Sequence, residues 1–291
     1  MRCSRIVLGS TLALCWALGL AAGKDQEKPS VRTQPVAGKV SVLFGEGGNI
    51  GALAGPDGIL IVDDQFERLA QEIEAALAKL APTSERSAPR FLVNTHHHGD
   101  HTDGNKHFGK SAVVVAHENV RARLLGEKAP SQALPIVTYA DGLALHFNGE
   151  EIRLIHVPEA HTDGDTVVWF TGSNVVHLGD LYFQLGYPFV DTQSGGNVLG
   201  LIEGLRGLLP NLPADVRVIP GHGEVTGKPE LEEYVRMLET ITERVRAGLE
   251  QRQDVAALLA SGVTKDFDAR WGHFEFVPPQ RFVESVVASL R

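Results

Sequence analysis

A cluster of histidine and aspartate side chains near residue 100 has the composition of a metal site. Its ligand-type residues are His96, His98, Asp100 and His101. Imidazole nitrogens and carboxylate oxygens are the ligands that zinc and similar ions prefer. Alternate side chains of an extended segment share a face, so His96 and His98 point to one side and His97 to the other. We expect His96 and His98 to bind one ion together, while Asp100 and His101, beyond a glycine turn, face a second ion.

Three further ligand-type residues follow apolar runs later in the chain. They are His161, after Glu151–Val157; Asp180, after Val175–Leu178; and His222, after Val216–Ile219. Glycines nearby let the backbone turn, and such strand ends are where a scaffold presents side chains to a site. A histidine-rich loop without a metal is the alternative for the first cluster taken alone. The three later segments make that alternative a poor explanation.

The elements that position these residues alternate between strands and helices. Strands are predicted at Val40–Phe44, Ile50–Ala54, Ile59–Val62, Phe91–Asn94, Val113–Ala116, Leu143–Phe147, Glu151–Val157, Thr166–Phe170, Val175–Leu178 and Val216–Ile219. Helices are predicted at Gln65–Leu80, His117–Leu125, Asn197–Leu209, Pro229–Leu249 and Pro279–Leu290. This alternation in two similar halves predicts a layered α/β domain. We find no repeat or linker that divides it, and predict one domain over residues 36–291.

The first residues of the chain have the pattern of a secretory signal. Arg2 and Arg5 precede the apolar run Ile6–Leu20, and small residues follow at 21–23. The run is shorter than the roughly twenty residues that a membrane span needs, which favours cleavage over a retained anchor. We therefore predict a signal peptide at 1–23, a flexible leader at 24–35, and a periplasmic or secreted protein without stable membrane association.

Composition and charge exclude some reaction chemistries and some classes of partner. The chain has 291 residues, with 36 acidic and 27 basic side chains and a net charge of −9. This balance and the lack of a dense basic patch argue against a nucleic-acid partner. Both cysteines, Cys3 and Cys15, lie in the predicted signal. The remaining chain therefore has no thiol to act as a nucleophile or metal ligand and no disulfide.

The order of the ligand-type residues resembles that of the metallo-β-lactamase superfamily. The resemblance rests on His-x-His-x-Asp-His at His96–His101, followed by His161, Asp180 and His222, and covers nearly the whole chain after the signal. The run Ile61–Asp63 before the first helix also matches a family feature. The resemblance implies a four-layer αββα sandwich with a two-metal site at one edge, between the sheets.

Carried over residue by residue, the resemblance implies two zinc ions. The first would be bound by His96, His98 and His161, and the second by Asp100, His101 and His222, with Asp180 bridging or capping. A hydroxide held between the ions would attack a carbonyl carbon. Asp100 would orient this hydroxide and accept its proton. Asp63 would hold a ligand histidine or the loop, or would only cap a strand or helix end.

The predicted substrate is a small molecule with an acyl bond, which is an ester, lactone, thioester or lactam. Asp180 and Phe183 stand where one lactamase branch has a cysteine and a substrate-binding lysine, so we expect weak lactamase activity. Asn197 follows Gly196, as in a pair that helps to bind the carbonyl in that branch. Tyr182 is a candidate donor to the oxyanion, but the sequence favours a packing role with its hydroxyl at the surface.

Two other functions fit parts of the pattern. A mononuclear iron persulfide dioxygenase on the same fold would use only His96, His161 and Asp180, and would leave the other ligand-type residues without a role. A metal-binding module without catalysis is the second alternative. The complete set of seven ligand-type residues favours the hydrolase.

Overall fold

Two β-sheets form the centre of the computed structural model, which describes residues 31–81 and 88–291. The first sheet has the strand order β1-β2-β3-β4-β5-β6-β7. Its strands are β1 (Arg32–Ala37), β2 (Val40–Phe44), β3 (Ile50–Gly55), β4 (Gly58–Val62), β5 (Phe91–Val93), β6 (Val113–His117) and β7 (Val137–Tyr139). Strands β1 to β4 pair antiparallel, and β4 to β7 pair parallel.

The second sheet has the order β13-β12-β11-β10-β9-β8. Its strands are β8 (Gly142–Phe147), β9 (Glu150–Val157), β10 (Asp165–Phe170), β11 (Val175–His177), β12 (Arg217–Ile219) and β13 (Thr226–Gly227). Only β11 and β12 pair parallel, with Val176 opposite Val218. The carboxyl ends of β11 and β12 therefore meet at one edge of the sheet.

Helices cover the outer face of each sheet. They are α1 (Ala70–Leu80), α2 (Gly99–Thr102), α3 (Asn105–Phe108), α4 (Glu118–Gly126), α5 (Val198–Leu208), α6 (Lys228–Glu250), α7 (Val255–Ala260), α8 (Lys265–Trp271) and α9 (Pro279–Ser289). The helix α6 begins at a proline-containing first turn, where the Glu230 carboxylate accepts a hydrogen bond from Gly227 N. Among the described residues, no helix is both long and apolar enough to cross a membrane.

The three largest apolar clusters of the described residues hold these layers together. The cluster between the sheets joins Val62 and Val93 of the first sheet to Val168 and Ile219 of the second. A second cluster packs α1 on the outer face of the first sheet. A third packs α5, α6 and α9 on the outer face of the second. This arrangement confirms the predicted four-layer αββα sandwich.

The structure differs from the prediction at the beginning of the described chain and at β7, α7 and α8, which no predicted element covered. Residues 32–35, predicted as part of a flexible leader, form β1 and pair with β2. Pro35 is tolerated because β1 is an edge strand, where a missing N–H breaks no ladder. The predicted signal peptide, 1–23, and leader residues 24–30 lie outside the described residues.

The first long helix starts later than its apolar spacing predicts. Asp63 and Gln65 have positive φ values of 63° and 57°, a left-handed conformation that cannot continue into a helix. A short 3-10 turn at Glu67–Leu69 then leads into α1. The strained segment lies at the carboxyl end of β4, beside the predicted metal site.

Candidate metal centre

The structure brings the seven predicted ligand residues together at one edge of the sandwich. His96, His98, Asp100 and His101 follow β5, His161 lies between β9 and β10, Asp180 follows β11, and His222 follows β12. Their ligand atoms form three groups in which all atoms lie within 4.8 Å of one another. The three-imidazole group is His96, His98 and His161; the acidic group is Asp100, His101 and His222; and Asp180 lies with His96 and His101.

Outer hydrogen bonds determine which nitrogen of each ring in the three-imidazole group carries a proton. His98 Nε2 donates to Asp191 Oδ2 over 3.0 Å, and His161 Nδ1 donates to the Phe189 carbonyl oxygen over 2.7 Å. Both partners can only accept, so a neutral ring at either position carries its lone pair on the inner nitrogen. These inner nitrogens, His98 Nδ1 and His161 Nε2, lie 3.0 Å apart. Two facing lone pairs repel each other unless a cation lies near both.

His96 is the third member of this group, and Asp63 orients its ring through Thr95. Thr95 Oγ1 donates to Asp63 Oδ2 over 2.7 Å and lies 3.0 Å from His96 Nδ1. Because its only proton is already donated, Thr95 Oγ1 accepts a hydrogen bond from His96 Nδ1. The opposite nitrogen, His96 Nε2, is buried and has no hydrogen-bond partner. Buried polar atoms are nearly always satisfied, so this atom indicates a missing ligand on that side.

The acidic group is held by the same carboxylate. His101 Nδ1 lies 2.7 Å from Asp63 Oδ2 and donates to it. On its inner side, His101 Nε2 lies 3.3 Å from His222 Nε2, and Asp100 Oδ2 lies 3.1 Å from His222 Nε2. Asp63 therefore orients ligands of both groups, as predicted for an outer residue that holds a ligand histidine.

Asp180 lies between the two groups. Its Oδ2 is 3.6 Å from His161 Nε2, and its Oδ1 is 3.2 Å from His101 Nε2. Each oxygen therefore faces a different group, which is the arrangement of a bridging carboxylate. The backbone at Gly221 approaches closely here, since a Cβ at that position would lie 2.0 Å from Asp180 Oδ1.

Burial and neighbouring charges shift histidine pKa values in the two groups in opposite directions. Burial lowers the pKa of His161 to about 4 and that of His96 well below its ordinary value, so both rings are neutral at pH 7. Burial opposes a charge on His101, but Asp180 and Asp100 raise its pKa well above the ordinary value. The acidic group therefore attracts a positive charge, which can be a proton or a metal ion.

The ligands open onto a cleft of about 420 Å³, within the usual range for small-molecule sites. Metal-site residues form its floor, and four phenylalanines, Phe183, Phe189, Phe274 and Phe276, form its wall. Asp100 is the most exposed of the acids here, with about a third of its side chain accessible. Burial would raise the pKa of Asp100, but His101 and His222 lower it to about 2, so it is a carboxylate at neutral pH.

Sequence reasoning missed three of the contacts that shape this site. Asp191 lies in the loop between β11 and α5, and no spacing in the sequence marked it as the partner of His98. Phe274 and Phe276 come from the turn between α8 and α9, about fifty residues after the last ligand. The only available signal was a pair of aromatic residues around a glutamate, Phe274-Glu275-Phe276.

Two predicted catalytic residues face away from the cleft. Tyr182 is 1% exposed and packs on Tyr234 in the core, where burial raises the pKa of its hydroxyl. In this structure the Tyr182 hydroxyl is therefore not placed to donate to an oxyanion in the cleft. Asn197 begins α5, and its Oδ1 accepts a hydrogen bond from Leu199 N. It caps the helix and is not among the described residues that line the cleft.

Comparisons with known proteins place these observations in a family. The model of the metallo-beta-lactamase superfamily matches residues 72–222. The hydroxyacylglutathione hydrolase of Rhodospirillum rubrum is 31% identical over 133 residues, which are 45% of this chain and 47% of that protein. The 2,4-dinitroanisole O-demethylase subunit alpha of Nocardioides sp. is 27% identical over 160 residues, 54% of this chain and 48% of that protein. The chain thus spans about half the length of these curated relatives.

Solved structures show the same fold at low sequence identity. A metallo-beta-lactamase from Pontibacter korlensis superposes with a TM-score of 0.63 and 16% identity, over 72% of this chain and 99% of that one. The DIM-1 metallo-beta-lactamase superposes with a TM-score of 0.63 and 19% identity, over 73% and 98%.

Proposed function

The chain belongs to the metallo-beta-lactamase superfamily, and on that premise we propose that it is a dinuclear zinc hydrolase of small acyl substrates. The observation that carries this proposal is the pair of facing inner nitrogens, His98 Nδ1 and His161 Nε2, beside the unpartnered His96 Nε2. In the acidic group, His101 Nε2 and His222 Nε2 also face each other, 3.3 Å apart. These donor sets fit two zinc ions, the second with a carboxylate ligand.

The bound ions and the residues around them would have separate roles in hydrolysis. Zinc lowers the pKa of a bound water to about 7 and polarises a carbonyl oxygen, so hydrolysis needs no serine or cysteine nucleophile. Residues 31–291 contain no cysteine, in agreement with this mechanism. Asp100, ionised and partly exposed in the cleft, would accept the proton of the attacking water and pass it to the leaving group.

The cleft favours a substrate with an apolar part. Phe183 and Phe189 border the ligands on one side, so an apolar group beside the scissile bond would be buried against their rings. Several relatives are named hydroxyacylglutathione hydrolase, which supports a thioester as the first acyl bond to test. Phe183 leaves no lysine at its position to hold a lactam carboxylate, so we expect lactams to be poor substrates.

Metal analysis and a substrate panel test the proposal. Purified protein should contain two zinc ions per chain and should hydrolyse at least one ester, lactone or thioester in a chelator-sensitive way. One iron per chain with oxygen consumption on a persulfide would instead support the dioxygenase, which needs only His96, His161 and Asp180. Zinc-loaded protein that is inert on the whole panel would support a non-catalytic metal module.

We also propose that the protein is exported. The support is the charged start at Arg2 and Arg5, the apolar run Ile6–Leu20 and the small residues that follow. Mature protein from the periplasmic or secreted fraction should begin near residue 24 by N-terminal sequencing. Full-length protein confined to the cytoplasm would contradict this.

A further inference from the structure

The cleft wall is a continuous row of rings that connects the two metal-binding groups. Centroid distances along the row His222–Phe183–Phe274–Phe276–Phe189–His98 are 5.0, 4.8, 6.1, 5.4 and 5.9 Å. Two of the rings, Phe274 and Phe276, lie outside the residues that the family model matches. Phe276 is 54% exposed although it is large and apolar, so it presents surface that a substrate can cover.

An arginine lies against the far end of this row. The Arg281 guanidinium carbon is 4.3 Å from the Phe276 ring centroid and 4.7 Å from that of Phe189. Its Nη1 donates to the Phe276 carbonyl oxygen over 2.7 Å. Within residues 31–81 and 88–291, no carboxylate forms an ion pair with Arg281, so its charge and remaining donors are available to an anion. Phe189 also contacts His98, which places Arg281 one ring away from a metal ligand.

Contacts of the loop between β11 and α5 with the segment from α8 to α9 hold this wall in place. Gly186 packs so closely on Phe274 that a Cβ there would lie 2.5 Å from the Phe274 Cβ. Tyr187 N donates to the Trp271 carbonyl oxygen over 3.0 Å, and the Tyr187 ring stacks on Phe282 at 5.0 Å. Phe282 directly follows Arg281 in α9. A ligand therefore meets a largely preformed surface, which lowers the entropic cost of binding.

We propose that Phe189, Phe276 and Arg281 form a specificity subsite for acyl substrates that carry a negatively charged aromatic ring. The ring would pack on the exposed face of Phe276, and its carboxylate would bind the free edge of the guanidinium. Arg281 would thus supply a cation for the substrate although Phe183 replaces the lysine expected of one lactamase branch. This proposal rests on the proposed acyl hydrolysis, because it assigns substrate selection at the same cleft.

The experiment compares two esters that differ only in charge, 4-carboxyphenyl acetate and 4-carbamoylphenyl acetate. In Arg281→Gln, the ratio of kcat/KM for the charged over the neutral ester should fall about tenfold relative to the unmodified protein. Taking the ratio between proteins cancels the different intrinsic reactivities of the two esters. Arg281→Lys, which keeps the charge but loses the planar fork, should lose only part of the preference.

Arg270 offers a matched control. It also stacks on an aromatic ring, Trp271, at 4.6 Å, but it is paired with Glu233, and Trp271 is not one of the rings in the row along the cleft wall. Arg270→Gln should therefore leave the ratio unchanged. An Arg281→Gln ratio within twofold of the unmodified value, with an unchanged melting temperature, would overturn the subsite.

Binding of benzoate and benzamide, measured by calorimetry on the same proteins, separates the two proposals. Benzoate should bind the unmodified protein more tightly than Arg281→Gln, while benzamide should bind both alike. If neither ester is cleaved but benzoate binding depends on Arg281, acyl hydrolysis fails and the subsite stands. If the esters are cleaved but Arg281→Gln changes neither benzoate binding nor the ester ratio, acyl hydrolysis stands and the subsite fails.

Discussion

The three-imidazole group has only histidines, whereas the acidic group adds an aspartate, and the two groups differ in how many of their rings are fixed by outer hydrogen bonds. Each ring of the three-imidazole group donates its outer N–H to a fixed acceptor, namely Thr95, Asp191 or the Phe189 carbonyl. In the acidic group only His101 is fixed in this way, by Asp63, while Asp100 and His222 are partly exposed at the cleft. The first group is suited to hold an ion tightly, and the second to face a substrate.

The largest expected loss of activity comes from removing a ligand of the three-imidazole group. His98→Ala removes an inner nitrogen, and since loss of an outer partner alone costs about 10–100-fold, activity should fall at least a hundredfold. The fold should persist, because the side chain lies at the cleft and is partly exposed. Activity assays with circular dichroism and thermal melting check both statements. Unchanged activity would show that the ligand assignment is in error.

Two aspartates that act from outside give a sharper comparison. Asp63 binds Thr95 and His101 and so serves both groups, whereas Asp191 serves only His98. Asp63→Asn should weaken both steps of a zinc titration by about 10–100-fold, and Asp191→Asn only the tighter step. Competition with a chelating dye measures both steps. Equal effects of the two substitutions would remove the distinction between the groups.

Proton release should distinguish the groups by a smaller amount. The raised pKa of His101 means that an ion entering the acidic group displaces a proton, whereas His96 and His161, with lowered pKa values, are already neutral. Affinity at the acidic group should therefore rise with pH, by about tenfold from about pH 5.5 to 6.5, where a zinc-bound water stays protonated. Affinity at the three-imidazole group should change less.

Calorimetric titrations in two buffers of different ionisation enthalpy measure these protons directly. About one proton should leave per ion at the weaker step. Proton release confined to the tighter step would reverse the comparison.

The smallest effect is expected at a residue that belongs to neither group. Tyr182→Phe should change kcat/KM by no more than about twofold, because the hydroxyl is buried in the core beside Tyr234. A true oxyanion donor would cost about a hundredfold or more on removal. Steady-state kinetics on the best acyl substrate decide the matter. A hundredfold loss without a change in melting temperature would restore Tyr182 to the active site.

The sequence predicts the strand ends well, and it identifies the ligand-type residues that the structure brings to one edge, because both depend on local patterns. Apolar runs end directly before the ligands, as at Val216–Ile219 before His222, and the alternation of His96 and His98 follows from an extended backbone. The strand β1 escapes prediction because Arg32–Pro35 is polar and includes a proline, and only pairing with β2 makes it a strand. Tertiary context decides this element.

The cleft wall escapes prediction for a related reason. Phe274 reaches the site only because the loop around Gly186 packs against it, a contact between residues about ninety positions apart. Asn197 is a different case, since a family-like Gly-Asn pair also makes a good helix cap, and this local role accounts for the contact that its side chain makes here. Motifs identify chemistry, whereas distant packing decides which surfaces surround it.

Each group of ligands takes members from both sheets. His96, His98, Asp100 and His101 come from the end of β5 in the first sheet, and the remaining ligands come from the second. Ions bound at this edge would fasten the sheets to each other, so part of the metal-binding energy would become resistance of the whole sandwich to unfolding. At free zinc a thousandfold above the dissociation constant, one such ion adds about 4 kcal/mol. The same edge would be the first to open, and the first to be cut by proteases, when zinc is scarce.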